Sequence, residues 1–506
     1  MNNISTLRQL SIKTCLDTSH VLTSPKNLYF ALLAQPNHLQ IKNAALNFLK
    51  EQFFKVKNTH YKTTDNNLLK DANDLEKWVV SHTELVGLQY QAYLKNRKNG
   101  KPRLYFSNKS HALNFIKSVA PTKMVDGAWL YGITQHWQDA RFSDLIKIYL
   151  EELGDGVAAK NHVVIYQKLL KTYGLEHFND LPDSYFVQGA IQLALACHAE
   201  QFIPEIIGFN LGYEQLPLHL LITAYELKEL NIDPHYFNLH VTIDNALTGH
   251  ANSAVKAVIE NLPQLGCRQD YMQRINCGFQ LNNQGLSTLD IVNNYDIKQE
   301  LIAIFRQKAT VGQYMHNNHC QLDGRSINQW LSVPDKMHEL LQSLEKNKWF
   351  LRHQDPQNSR FWKLIDGDQA TMFGVFNAYE KQVLYDWIAG DELAILPKKA
   401  SLGESIFAHK RLLNTSVEPA VYYLAEQTTE KQSNVYEIKK NGENGTKKEL
   451  YMKELHSEED SFKAQIALIT DKKQRMQKLL EWLTPANHHT PIGLLATRLY
   501  KQQLDV

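Results

Sequence analysis

The sequence predicts an all-α fold: a helical bundle followed by an additional, mainly helical C-terminal region that contains a small β-hairpin. Two observations carry this expectation. Apolar residues recur at threes and fours over most of the chain, the period of an amphipathic helix. With 43% hydrophobic and 10% aromatic residues, the chain can bury a substantial core and is not disordered by composition.

A length of 506 residues suggests several units. The expected division is an N-terminal helical region over 1–120 packing on a metal-binding core over 121–310, an accessory helical region over 311–420, and a C-terminal region over 421–506 with the hairpin and a terminal helix. A formal net charge of +2, from 55 basic and 53 acidic residues, gives no global field that would favour nucleic acid or an anionic membrane. No apolar run is long enough to cross a bilayer, and the N-terminus lacks the continuous apolar core of a secretory signal, so a cytoplasmic protein is expected. Five scattered cysteines, Cys15, Cys197, Cys267, Cys277 and Cys320, argue against a disulfide framework.

Taken in order, residues 27–33, 42–54 and 71–94 carry helical periodicity. The basic run from Lys95 to Arg103 contains Gly100 and Pro102 and reads as a solvated loop between helices. A long amphipathic segment is expected over 128–153, broken by Gly154-Asp155-Gly156, because paired glycines lower helix propensity and allow positive φ. A second helix then starts near Asn161 and carries His162. Residues 184–230 read as helix interrupted by Pro204 and Pro217, with Gly208 and Gly212 one turn apart for close packing of another helix or access for a ligand. Glu205 and Glu214, nine residues apart, would face opposite ways on a straight helix. After the turn at 231–234, a helix is expected through His240 and on to Asn261, then a turn-rich region to Leu286 and helix over 289–307. Further helices are expected at 336–349, 377–388 and 461–483, and a hairpin or flexible insertion at 435–452. His316, His319 and Cys320 have metal-ligand residue types but no second cluster at zinc-site spacing.

The chemistry concentrates on a few acids and imidazoles. His240 and Asp244 stand one helical turn apart and share a face, and His250 follows shortly after. Glu151 and Glu152 stand before the glycine break and His162 after it, so a carboxylate and an imidazole can converge. With Glu214, the candidate set is Glu152 (or Glu151), His162, Glu214, His240, Asp244 and His250. Oxygen and nitrogen donors without a thiolate suit iron or manganese, and two metals sharing bridging carboxylates are usual on helical scaffolds. Trp129, Trp137, Tyr149 and Tyr213 read as core side chains.

The order Glu-Leu-Gly-Asp-Gly, His162, Glu214 and His-x-x-x-Asp with a later His resembles the heme-oxygenase-like diiron oxidases, the iron-containing redox enzyme family. The resemblance covers about residues 78–261, including Val125-Asp-Gly-Ala-Trp-Leu130 and the stretch from Pro204 to Glu214. It implies a heme-oxygenase-like bundle that binds two irons in place of heme, with Glu152, His162, Glu214, His240 and Asp244 as ligands. In several members the last imidazole would fall on Leu247; here an irregular turn at Thr248-Gly249 would bring His250 round, with Glu205 or His219 as substitutes.

The resemblance further implies O₂ activation by two Fe ions, or Mn, to oxidise a small amino-acid- or fatty-acid-like substrate, with electrons from the site or an external donor. The alternative is a metal-depleted helical interaction protein on the same scaffold. A heme site would give no reason for three acids. A homodimer fits either reading.

Overall fold

Ser24 accepts a hydrogen bond from the backbone N–H of Asn27, and Pro25 opens the first helix, Pro25–Ala34, with a backbone angle already set for a helix. The computed structural model describes residues 21–60, 72–243, 249–317, 319–367, 370–394 and 457–504. Helices Leu39–His60 and Leu75–Lys98 follow, close to the expected stretches. The basic run ends the second of them, where Lys95, Arg97 and Lys98 face the negative end of the helix dipole. Arg97 then pairs with Glu229 at 2.6 Å and Arg103 donates to the Phe106 carbonyl at 2.7 Å.

The chain is all-α, as the periodicity predicts, and its buried side chains gather into two clusters. The first surrounds Trp129, Tyr149, Phe186 and Phe209 and draws on helices Pro25–Ala34, Leu39–His60, Ser143–Glu152, Val187–Cys197, Ile203–Tyr213 and His250–Glu260. The second surrounds Phe106, Tyr166, Tyr236 and Phe350 and draws on Lys109–Lys123, His162–Tyr173, Leu218–Glu229, His235–Ile243, Ile297–Gly312, Met337–Lys346 and Ala378–Ala394. Helices of both clusters contribute to the candidate site described below.

Several expectations are corrected. No continuous helix spans 128–153: Ala128–His136 and Ala140–Phe142 are 3₁₀ segments, and only Ser143–Glu152 is α-helical. Tertiary packing overrides periodicity here, because a Cβ on Gly132 would lie 2.2 Å from the Ala199 Cβ, so the tightened chain lies directly on the end of Val187–Cys197. The region to Leu286 is not turn-rich but contains the helix Arg268–Gln280. Its position is set by an interlocked crossing with Ile203–Tyr213, in which a Cβ on Gly208 would lie 1.9 Å from the Ile275 carbonyl and one on Gly278 1.9 Å from the Glu205 carbonyl.

The expected helix over 461–483 is interrupted: Asp471 caps a fresh helix, Lys472–Leu480, by accepting from Gln474 N. A further helix, Pro491–Leu504, follows it. The hairpin expected at 435–452 lies outside the described residues. A small hairpin does occur between strands Gln321–Leu322 and Arg325–Ser326, where Asp323 and Gly324 take positive φ as a two-residue turn requires. Among the described residues, no helix is long and apolar enough to cross a membrane.

Candidate metal centre

Backbone conformation brings the first carboxylate into place. Gly127 has φ 78°, a left-handed angle that only glycine adopts at little cost, and a Cβ there would press to 3.0 Å against the Glu152 Cβ. The missing side chain lets Asp126 and Glu152 approach each other. Asp126 is buried, and both of its oxygens are engaged. Tyr213 donates to Oδ1 at 2.8 Å and Tyr236 to Oδ2 at 2.5 Å. Lys123 is 3.9 Å from Oδ1.

Glu152 is the last residue of its helix, and three successive left-handed residues turn the chain back: Gly154 (φ 62°), Asp155 (φ 53°) and Gly156 (φ 76°). Asn161 caps the next helix by accepting from Val164 N at 3.0 Å, which places His162 on its first turn. His162 Nδ1 lies against Glu152 Oε2 and 3.6 Å from Asp126 Oδ2. His240 projects from His235–Ile243, with Nδ1 on the Tyr236 carbonyl at 2.9 Å and Nε2 3.1 Å from Asp126 Oδ2. The carbonyl fixes the ring so that Nε2 faces the carboxylates.

Glu214 ends Ile203–Tyr213, and His250 opens His250–Glu260 directly after Gly249. His250 Nδ1 lies 3.1 Å from Glu214 Oε2 and 3.5 Å from Glu152 Oε1, while its Nε2 faces Glu151 Oε2 at 2.8 Å. The ligand atoms form two overlapping groups, each within 4.8 Å: Asp126, Glu152, His162 and His240, and Glu152, Glu214 and His250. Glu152 belongs to both.

Of the expected residues, Glu152, His162, Glu214, His240 and His250 come together, while Asp244 lies outside the described residues. Of the two neighbouring glutamates, Glu152 lies in the groups, while Glu151 faces His250 from the other side. His250 reaches the cluster on a new helix that starts after Gly249. Glu205 is held by Arg274 through two 2.7 Å hydrogen bonds, and His219 is in neither group. Asp126 was not among the expected ligands, although it stands in the Val125–Leu130 motif; the available signal was an aspartate within a largely apolar stretch. Tyr213 is more than a core side chain, because its hydroxyl touches Asp126. The His316–Cys320 stretch forms no such group among the described residues.

The charges oppose burial strongly. Burial alone would lower both imidazoles, yet Glu152 and Asp126 raise His162 to about 10, and Glu214, Glu151 and Glu152 raise His250 to about 11. Burial would raise Asp126, but Lys123, His162 and His240 hold it well below the usual carboxylate range. Glu152 is lowered against its burial, chiefly by His162. Glu214, by contrast, is raised by burial despite His250. Three buried carboxylates demand positive charge nearby, and the raised His162 and His250 imidazoles answer that demand.

A cation fits this donor set. His162 Nε2 and Glu214 Oε1 are buried without a hydrogen-bond partner, and each such atom costs about 1–3 kcal/mol unless something satisfies it. Mixed carboxylate and imidazole donors suit iron or manganese.

The family model described as iron-containing redox enzyme matches residues 113–283, a span that includes every residue of both groups. The resemblance read from the sequence is thus found independently, and the all-α bundle agrees with a heme-oxygenase-like fold. No curated protein and no solved structure gives a match.

Proposed function

We propose that this chain, which carries over residues 113–283 the domain of the iron-containing redox enzyme family, is a non-heme diiron oxidase or oxygenase acting on a small organic substrate. The observation that supports it most is Glu152, a single carboxylate common to two groups of buried donors, as a bridge between two ions requires. Asp126, His162 and His240 would complete one ion's donors, and Glu214 and His250 the other's. Bound there, two ferrous ions would supply Lewis acidity and electrons for the reduction of O₂.

The chain's own residues prepare that chemistry. Tyr213 and Tyr236 hold Asp126 by hydrogen bonds to opposite oxygens, so its carboxylate is oriented before any ion arrives. The Tyr236 carbonyl orients His240, and Glu151 orients His250 from the outer side. Phe209 and Trp129, both buried, pack on the Tyr213 ring, and buried Tyr166 packs on the Tyr236 ring, behind the two hydroxyls that hold Asp126.

Amino-acid-like or fatty-acid-like molecules are the substrates to try first. Anaerobic loading with Fe(II) should give close to two equivalents per chain, and a screen of such acids should then find one that accelerates oxygen uptake. Absence of iron binding at micromolar concentrations would sink the oxidase and favour a helical interaction protein.

A further inference from the structure

Residues 472–504 lie far beyond the family match, yet they pack into the same core as the candidate metal centre, with Met476, Leu479, Leu483, Leu495 and Tyr500 all buried there. Several of their polar contacts fall on the turn that separates Glu152 from His162, and others on the preceding 3₁₀ segment Ala128–His136 and the Glu152 helix. Lys501 pairs with Asp155 at 2.8 Å, and Arg498 donates to the Gly156 carbonyl at 2.5 Å. His488 Nδ1 accepts from the Asn161 side-chain amide at 3.1 Å. Tyr149, on the Glu152 helix, donates to the Leu483 carbonyl, and Tyr500 donates to Thr134 O at 2.7 Å. At Gly156 the approach is backbone to backbone, since a Cβ would lie 2.3 Å from the Leu494 carbonyl.

The turn needs such support. Three consecutive left-handed residues include the non-glycine Asp155, which costs about 1–2 kcal/mol in that region, and such conformations persist only where surroundings over-determine them. Asn161 is the joint. Its Oδ1 caps the His162 helix, while its Nδ2 hydrogens go to Leu153 O at 3.1 Å and to His488. Asn161 thereby ties the chain just after Glu152 to the helix start that presents His162. His488 fixes that amide from behind, and His488 is itself buried.

We propose that the C-terminal segment is a clamp on the metal-presenting turn, and that His488 is a positioning residue acting through Asn161 on His162. The proposal rests on the metal reading above but concerns a different part of the chain. Residues 488–501 would hold Glu152 and His162 at the separation that lets both face one ion.

The test uses the full chain with Co(II) as the probe metal. His488→Leu fills the space without an acceptor, and His488→Asn restores an acceptor for the Asn161 amide. His488→Leu should weaken Co(II) binding by about 10–100-fold, the range for outer-shell partners of ligands, and change the Co(II) d–d absorption bands. His488→Asn should stay near the unsubstituted protein in both. Amides of residues 153–161 should exchange faster with deuterium in metal-free His488→Leu than in the parent. Should His488→Leu fail to fold, Arg498→Met releases the same turn at Gly156 and should shift binding and exchange in the same direction. Unchanged affinity, bands and exchange in these variants would overturn the clamp. If the unsubstituted protein takes up no Co(II), the metal reading falls, and the exchange comparison alone still decides whether the clamp exists.

Discussion

His240 Nε2 stands 3.1 Å from Asp126 Oδ2, although 114 residues separate the two in sequence. The same oxygen accepts from Tyr236, and the other oxygen accepts from Tyr213 with Lys123 nearby. An aspartate held this firmly has already lost its rotamer freedom, so binding an ion there costs little further ordering. Asp126→Asn keeps the shape and removes the charge. It should weaken Fe(II) binding in the four-residue group by at least about 100-fold, beyond the effect of an outer-shell change, and leave closer to one tightly held equivalent per chain. Two tightly held irons after anaerobic dialysis of Asp126→Asn would exclude this carboxylate as a ligand.

Glu151 and Glu152 are adjacent but differ in kind. Glu152 is buried and common to both donor groups, whereas the Glu151 side chain is 34% exposed, belongs to neither group, and faces the outer nitrogen of His250 and Lys147. Glu152→Gln should therefore abolish binding of both ions. Glu151→Gln should cost about tenfold at one of them, as expected of a group that orients a ligand. Metal titrations of the two variants decide it: equal losses would show that the neighbours share one role.

Much of this centre was legible in the sequence, because helical spacing and the order of acids and imidazoles survive as local patterns. His162 and Glu152 could be paired across the glycine break, since glycines at 154 and 156 allow the positive φ that turns a chain back. Asp126 escaped for a backbone reason. It precedes a glycine and looks like the start of a helix, and only the left-handed angle of Gly127 turns it inward. Arg268–Gln280 escaped because its sequence is mostly polar, and what holds it is a glycine crossing that periodicity does not reveal. The approach of His488 to Asn161, across 327 residues, depends wholly on tertiary packing.

The crossing of Ile203–Tyr213 with Arg268–Gln280 makes a separate prediction about stability. In an open helix, Gly→Ala gains about 1 kcal/mol. At Gly208 and Gly278 the new methyl would meet a carbonyl oxygen at 1.9 Å, and backbone cannot swing aside as a side chain can. Overpacking of this kind costs about 1–3 kcal/mol or more, so the loss should exceed the helix gain. Gly208→Ala and Gly278→Ala should each lower the urea midpoint, with weakened metal binding because Glu214 ends the displaced helix. A raised midpoint in either variant would contradict the crossing.

Protonation of the cluster gives the metal-free protein a distinctive pH dependence. His162 at about 10 and His250 at about 11 are both raised from the ordinary 6.5. Stability held by a raised imidazole is fully present below the unfolded value and is lost as pH climbs toward the folded value. Each ring therefore removes up to about 1.4 kcal/mol per pH unit above pH 6.5. On the acid side the sign reverses. Burial lowers His111 to about 4, against the pull of the Val292 carbonyl, so its contribution is present above pH 6.5 and fades as pH falls toward 4. The depressed carboxylates Asp126 and Glu152 are likewise lost in acid. Chelator-treated protein should thus melt highest near pH 6–7 and lose Tm steadily to pH 9, whereas metal in place of the imidazolium protons should flatten that alkaline arm. Thermal melts across pH 5–9, with and without Fe(II) under nitrogen, test this directly, and a metal-free Tm that stays level or rises above pH 7 would mean the two rings are not charged in the folded protein.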